Sequence, residues 1–426
     1  MADPKKLVEM LKSLEDQLVT CMRCGMCQAQ CPVFAQSGRE GDVTRGKIAL
    51  LAGLAEEMIK DPEGVNNKLN RCLLCGTCEA NCPSGVKVTD IFLRARAIMA
   101  AYNGMSPTQK LIFQQLLTHP GLFNTILDLG AKFQGIFTKP VNDMLGTSCA
   151  RFNAPIIGDR HFKTLAAKPL HSDVPSLDTP AGASNLRVAF YPGCVVDKIY
   201  PSVGHAVLKV LKHHGVGVFM PKGQACCGIP AISNGDVASF QKMVKANIEL
   251  FRKGDFDYLI TPCATCTSTI KKIWPAYYED KSDQITLAKI VDKVKDVSAF
   301  LVDVLKVSPM DTEGTKTVTY HDPCHLRNSL GVTAQPRTLL KATPGVKFVE
   351  MTDAASCCGS GGSFNLKFYE LSQEIGRKKA QHIIDSQAET VATGCPACMM
   401  QMTDMLSKAG ASRKVRHVVE LYADTL

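Results

Sequence analysis

The sequence contains no run of about eighteen apolar residues, so it has no segment able to cross a membrane as a helix. Its N-terminus, MADPKKLVEMLKSLEDQL, is amphipathic and charged and lacks the apolar stretch of an export signal, so the chain is expected to be made and kept in the cytoplasm. Also missing are a G-x-G-x-x-G turn after a strand and a phosphate-binding loop; on that ground the chain itself is expected to bind no flavin, nicotinamide or nucleotide. Charged residues are only 21% of the chain and apolar ones 45%, which excludes wholesale disorder. The 426 residues are enough for about three globular domains, each with its own core.

Cysteine is what the sequence has in excess. In a small secreted protein 19 cysteines would mean disulfides; in a long chain without an export signal they point to metal or redox chemistry. Cys21, Cys24, Cys27 and Cys31 lie in CMRCGMCQAQCP, and Cys72, Cys75, Cys78 and Cys82 in CLLCGTCEANCP. Both stretches read C-x2-C-x2-C-x3-C-P, the run that gives three thiolates to one iron-sulfur cube and sends the fourth to the other cube of a pair. The two-residue steps turn the chain tightly enough for successive sulfurs to reach different corners of one cluster, and the proline sets the exit direction. The pattern assigns Cys21, Cys24, Cys27 and Cys82 to one 4Fe-4S cubane cluster and Cys72, Cys75, Cys78 and Cys31 to the other. Paired zinc sites would use C-x2-C doublets but leave the third cysteine of each triplet unexplained.

Forty residues separate Cys31 from Cys72, more than a compact bacterial ferredoxin hairpin needs. Within them Ile48, Leu51, Ala55 and Met58 fall at helical spacing, and TDIFLRARAIMAAY after the second motif reads as another helix with Thr89 or Asp90 as its N-cap. The expectation is an α-helical ferredoxin domain over 1–105.

The remaining cysteines repeat. From Cys194 there are 31 residues to Cys226 and Cys227, then 35 to Cys263 and two more to Cys266. From Cys324 there are 32 to Cys357 and Cys358, then 36 to Cys395 and two more to Cys398. Strand-like RVAFYPGC and TVTYHDPC lead into the first cysteine of each set, VGVFMP and VKFVEM precede the pairs, and DYLITPCATC and ETVATGCPAC carry the last doublets. Amphipathic stretches lie between them, and similar helices, DVSAFLVDVL and HVVELYADTL, close both repeats. This alternation predicts two α/β domains, at 186–306 and 307–426, with five thiols of each at the sheet edge where ligands of open α/β sheets sit. Glycines in CCGSGG allow close backbone approach, and free amides there can donate to sulfur.

These two sets resemble the cysteine-rich CCG domains shared by heterodisulfide reductase cluster subunits and by the iron-sulfur subunits of glycolate, lactate and anaerobic glycerol-3-phosphate dehydrogenases. The order of a helical ferredoxin domain and two CCG domains is similar to the glycolate or lactate oxidase iron-sulfur subunit and to the fused heterodisulfide reductase subunit; DVTRGKIALL and CCGSGGSFNL resemble the former. The resemblance implies one or two noncubane 4Fe-4S clusters. Cys194, Cys226, Cys227, Cys263 and Cys266 would hold the first, and Cys324, Cys357, Cys358, Cys395 and Cys398 the second. Several hydroxyacid dehydrogenase subunits lack part of one set. This sequence lacks none, which leans toward the reductase branch.

Because a hydroxyacid oxidation needs a hydride acceptor, the resemblance further implies a separate FAD-containing subunit. The leading reading is an electron-transfer subunit of a flavin-linked D-lactate or glycolate dehydrogenase complex, delivering electrons to a quinone or other carrier. The competing reading is a heterodisulfide or disulfide reductase subunit whose noncubane clusters cleave the S–S bond; a third class, an iron sensor or scaffold, needs no such number of sites.

The formal charge of +9 counts cysteines as neutral. Two cubes at roughly −2 each bring it to about +5. Basic runs such as GRKKAQH then read as solvated helix faces, and no nucleic-acid partner is expected. The segment 106–185 divides into a Leu-, Ile- and Phe-rich helical part and a Pro-, Ser- and Gly-rich extended connector. The helical part packs between domains or docks on a partner or on the inner face of the cytoplasmic membrane. Cys149 stands outside every set and reads as a plain thiol. His321 and His325 flank Cys324 and are expected to cap the next helix, and His213 and His214, before Gly215, to serve a helix C-terminus.

Overall fold

The computed structural model describes residues 4–152, 158–310 and 314–426. Its N-terminal part is all helix and loop. Leu7, Leu11, Leu14 and Leu18 recur at helical spacing and are buried with Leu51, Leu69, Ile91 and Phe92, drawing helices Pro4–Lys12, Thr44–Ala55, Pro62–Asn70 and Val88–Asn103 around one core. The expected run of Ile48, Leu51, Ala55 and Met58 stops at Ala55, since Glu57 turns left-handed (φ 58°) and leaves Met58 72% exposed. Neither Thr89 nor Asp90 is an N-cap. Lys87 holds that position, Thr89 N–H donates to Glu79 (2.8 Å), and the Asp90 carboxylate is taken by Tyr277 (2.6 Å), Arg94 (2.9 Å) and Gln17 (3.0 Å).

The middle part begins with helices Pro107–Lys110, Leu111–Leu117 and Pro120–Phe137, then forms an unexpected antiparallel hairpin of β1 (Thr138–Asn142) and β2 (Thr147–Ala150). Cys149 sits in β2 opposite Lys139, partly exposed. Residues 153–157 of the expected connector lie outside the described residues. Farther on, the connector is not simply extended. It forms a short helix, Leu170–Asp173, and strand β3 (Leu177–Asp178), which joins the edge of the first sheet antiparallel to its neighbour, with Leu177 opposite Met220.

Two sheets of matching topology follow. The first comprises β4 (Arg187–Phe190), β5 (Gly217–Met220), β6 (Tyr258–Thr261) and β7 (Val294–Asp296), ordered β3-β5-β4-β6-β7; the second comprises β8 (Lys316–His321), β9 (Val346–Phe348), β10 (Thr390–Thr393) and β11 (Lys414–His417), ordered β11-β10-β8-β9. Apart from β3, all neighbouring strands in both sheets are parallel, so each sheet is the same β5-β4-β6-β7 arrangement built twice. Parallel pairing forces helical crossovers onto the faces, and the buried strands read as continuous apolar runs, as in Val188–Phe190.

One core joins the two sheets. Phe190, Val203, Val207 and Phe300 of the first pack with Val318, Tyr320, Leu339 and Val418 of the second. His214, at the C-terminal end of helix Pro201–His213, stacks on Tyr422 and meets its hydroxyl at 3.1 Å. Consequently the carboxyl ends of the central strands converge: Ala264 N–H donates to Gly394 O (3.1 Å), and His417 Nε2 lies 2.9 Å from Pro262 O.

Arg96 ties the helical part to the first sheet domain. It is 5% exposed and donates to the carbonyls of Ser233 (2.9 Å), Leu69 (2.8 Å) and Cys72 (2.7 Å). Replacing it with methionine leaves three buried acceptors unserved, so Arg96→Met is expected to cost about 3 kcal/mol, read as a lower urea midpoint.

Asp296 gives a pH test. It ends β7, accepts from Ser298 N–H (2.8 Å), and its burial pushes the carboxyl up to about 7. A carboxyl that holds its proton more tightly when folded stabilises fully below the unfolded value near 4 and loses that contribution as pH rises through about 7. Between pH 5 and pH 8 the wild type should therefore lose about 1–3 kcal/mol relative to Asp296→Asn, measured by denaturant unfolding at each pH.

Candidate metal centres

The helical part gathers its eight motif cysteines into two pockets. One is lined by Cys31, Cys72, Cys75 and Cys78, the other by Cys21, Cys24, Cys27 and Cys82 with Cys78 at their border. Each pocket thus takes three sulfurs from one motif and the last from the other. In both loops the residue before the second cysteine is a left-handed non-glycine, Arg23 (φ 57°) and Leu74 (φ 53°), the backbone strain expected where a loop is wrapped tightly around a site.

Apart from Cys149, the remaining ten cysteines stand at the carboxyl ends of the two sheets: Cys194 and Cys324 after β4 and β8, Cys263 and Cys266 after β6, Cys395 and Cys398 after β10, and the adjacent pairs after β5 and β9. The pairs turn on glycines. Gly228 and Gly359 adopt φ of +91° and +88°, and a Cβ there would come within 2.6 Å of Phe240 and 2.7 Å of the Ser372 carbonyl. No other residue fits the third position of C-C-G. Gly361 brings the CCGSGG loop against Leu73, where a Cβ would lie 2.5 Å from the leucine side chain, so this turn packs on the first domain's cysteine loop.

The sulfurs form a continuous series. Cys194 Sγ lies 4.0 Å from Cys226 Sγ. Cys226 then neighbours Cys227, Cys227 neighbours Cys266, and Cys266 neighbours Cys263. Cys263 meets Cys395 of the other repeat, which leads through Cys398 and Cys358 to Cys357. Cys357 touches both Cys324 and Cys75 of the helical part. Hydrogen bonds from neighbouring thiols pull Cys227, Cys358 and Cys395 well below the ordinary thiol range. The thiol of Cys75 is driven up by its hydrogen bond to Cys357 and by burial, and burial alone chiefly raises Cys31 to about 11. So many sulfurs cannot all ionise without water, and only bound metal can stabilise them together as thiolates.

The surroundings fit such a load. Amides donate to sulfur: Phe34 N–H to Cys31 (3.4 Å), Leu74 N–H to Cys72 (3.4 Å) and Gly359 N–H to Cys357 (3.5 Å). Thr265 Oγ1 lies 3.7 Å from Cys395 Sγ and 3.1 Å from His325 Nδ1. Three buried lysines stand beside three of the groups: Lys47 near Cys72 and Cys31, Lys198 near Cys194, and Lys379 near Cys358 and Cys357. Burial lowers all three ammonium groups, Lys379 to about 8, and the thiolates oppose that shift.

Several of these residues escape a reading of the sequence. Lys379 belongs to GRKKAQH, expected to be a solvated face; Arg377 and Lys378 are exposed there, but Lys379 points inward and donates to Asp353 O (2.6 Å). His321 and His325 do not cap a helix. His325 lies against Thr265 and Leu74 O (3.3 Å), while His321 is enclosed beside Cys358 and Cys398.

Comparison with known proteins agrees with this architecture. Residues 17–86 match the 4Fe-4S dicluster domain, and 188–271 and 318–403 each match the Cysteine-rich (CCG) domain. The fold and its thiol pockets thus define an iron-sulfur protein of dicluster ferredoxin and paired CCG domains. The chain is 33% identical to the probable glycolate oxidase iron-sulfur subunit of Bacillus subtilis, over 95% of this chain and 92% of that one. It is 30% identical to a fumarate reductase (CoM/CoB) subunit of Methanothermobacter marburgensis (94% and 71% covered) and 31% identical to lactate utilization protein A of Oceanobacillus iheyensis (55% and 96% covered). A crystal structure of a hypothetical Helicobacter pylori protein shares the fold, with a TM-score of 0.53 at 8% identity, covering all of this chain and 77% of that one. The chain belongs to the family of CCG-domain iron-sulfur subunits that includes the glycolate oxidase subunit, and it is an oxidoreductase subunit that carries iron-sulfur clusters. Among the described residues no helix is long and apolar enough to cross a membrane.

Lys47 offers a direct test of the charge balance. Lys47→Met removes a positive charge beside Cys31 and Cys72, so the iron-sulfur group nearest them should become harder to reduce, by about 1–2 kcal/mol at an effective dielectric near 20. Redox titration followed by EPR reads the shift.

Proposed function

We propose that this chain is the electron-carrying subunit of a flavin-linked 2-hydroxyacid dehydrogenase complex, serving the oxidation of D-lactate or glycolate on a partner FAD subunit and passing electrons to a quinone or another carrier. The carrying observation is the unbroken series of sulfurs from Cys75 of the helical part, whose Cys24 is exposed, to Cys194 of the first sheet domain. The relatives named for glycolate oxidase and lactate utilization favour this substrate class.

In this reading Cys21, Cys24, Cys27 and Cys82 hold one cubane cluster and Cys72, Cys75, Cys78 and Cys31 the other. Cys194, Cys226, Cys227, Cys263 and Cys266 hold a noncubane cluster, as do Cys324, Cys357, Cys358, Cys395 and Cys398. When bound, these groups supply one-electron donor and acceptor states. The chain's own residues set their order, exclude water and place Lys47, Lys198 and Lys379 where negative charge must be offset.

The helix Pro120–Phe137 supports the delivery end. Leu122, Ile126, Leu129, Phe133 and Phe137 recur along one face and are all exposed, an apolar stripe suited to peripheral attachment on the inner face of the cytoplasmic membrane. At its base Leu117, Pro120 and Phe123 line an apolar cleft of about 70 Å³ that reaches Cys194 and Cys226, where we place the acceptor. A second reading, disulfide reduction, is favoured by a cavity of about 620 Å³ open to Cys324, Cys357, Cys358, Cys395 and Cys398.

Iron and acid-labile sulfide counts on the anaerobic full chain should give roughly 16 Fe with four loaded sites, or roughly 12 with one CCG site empty. The chain should also capture an FAD protein that bleaches a dye with lactate or glycolate. Zinc in place of iron overturns the reading, and disulfide reduction driven by reduced viologen without hydroxyacid activity transfers it to the second.

A further inference from the structure

The two CCG sites are built on one plan, yet they differ at one buried position. Aligning RVAFYPGC with TVTYHDPC places Tyr191 of the first repeat opposite His321 of the second. His321 ends β8 and Tyr191 directly follows β4, and they are 1% and 0% exposed. Each lies against the same two cysteines of its set, Tyr191 near Cys227 and Cys266, His321 near Cys358 and Cys398.

Their hydrogen bonding separates them. Tyr191 is satisfied, since its hydroxyl donates to the Ala225 carbonyl at 2.6 Å. Neither ring nitrogen of His321 makes a well-formed hydrogen bond among the described residues, although the Ala354 carbonyl lies beside the ring. That carbonyl also takes the Asp322 N–H (3.1 Å) and can serve one ring nitrogen at most, and the Asp322 carboxylate is held by Arg337 at 2.8 Å through both oxygens. The neighbouring buried histidines are engaged at both nitrogens, His325 by Thr265 and Leu74, His417 by Pro262 and Val419. An imidazole enclosed in this way needs a partner for the nitrogen that the protein atoms leave unserved. A ligand atom of His321 lies within 4.8 Å of the sulfurs of both Cys358 and Cys398, with all three residues buried.

We propose that His321 is a nitrogen ligand of the iron-sulfur group in the second CCG site, which is therefore held by mixed thiolate and imidazole ligands, whereas the first is held by thiolate alone. This rests on the reading that the second site is loaded. Imidazole brings a lone pair without negative charge, so it distinguishes the electronic character of two otherwise repeated sites, as histidine does when it replaces cysteine around other iron-sulfur centres. The remaining ring N–H would turn to the Ala354 carbonyl, the kind of outer partner that orients a ligating histidine.

The test is pulsed EPR on the anaerobic full chain grown with and without ¹⁵N-histidine, in whichever oxidation state of the second-site cluster is paramagnetic. A strongly coupled nitrogen that changes with the label, and is lost in His321→Gln and in His321→Tyr, is the expected result. Full iron content with no strongly coupled histidine nitrogen overturns the proposal and leaves the cluster reading intact; weak coupling alone, the mark of a hydrogen bond or a water in between, overturns it as well. An iron count short by about four, with the second site's signal missing from the wild type, removes the cluster reading and the ligand with it. The labelled wild type decides the matter even if neither variant folds.

Discussion

The structure depends on crowding a series of largely buried sulfurs against one another. A thiolate here is stabilised only by a neighbour that keeps its proton, as Cys227, Cys358 and Cys395 are lowered while Cys194 and Cys75 are raised, so the whole series from Cys194 to Cys75 is unfavourable as thiolates unless positive charge joins it. Everything that brings these residues together, from the shared core of the two sheets to the contact of the Gly361 turn with Leu73, is therefore organised around a charge problem that iron solves.

The protein's own contribution is graded along that series. Lysines buried beside three of the four groups are costly alone and become favourable beside loaded thiolates. Backbone amides aimed at Cys31, Cys72 and Cys357 do the same work with dipoles. Repetition of one sheet plan supplies two sites of the same outline, and single residues such as Tyr191 and His321 then make them differ.

Cysteine spacing made much of this legible in advance, because ligand spacing is a local property of the chain: a C-x2-C-x2-C loop can surround one cluster whatever lies around it. The parallel strands before each cysteine were readable for a similar reason, being short apolar runs ended by glycine or proline. Less local features were not. Strands β7 and β11 have too few residues to show a period, the hairpin at Thr138–Ala150 has strands too short and too polar to stand out although Asn142 and Gly146 mark its turn, and Met58 and Asp90 look helical or capping only until Glu57 turns the chain and Tyr277 claims the carboxylate.

The sequence by itself determined the inventory: two ferredoxin motifs, two five-cysteine sets and the alternation of strands and helices that carries them, since each follows from spacing within a few dozen residues. Only the tertiary structure decided that Cys75 meets Cys357 and Cys263 meets Cys395, that Lys379 turns inward while Lys378 faces water, and that His321 is left without a well-formed hydrogen bond. Those are relations between segments more than a hundred residues apart or between faces of one helix, and they exist only once the two sheets share a core.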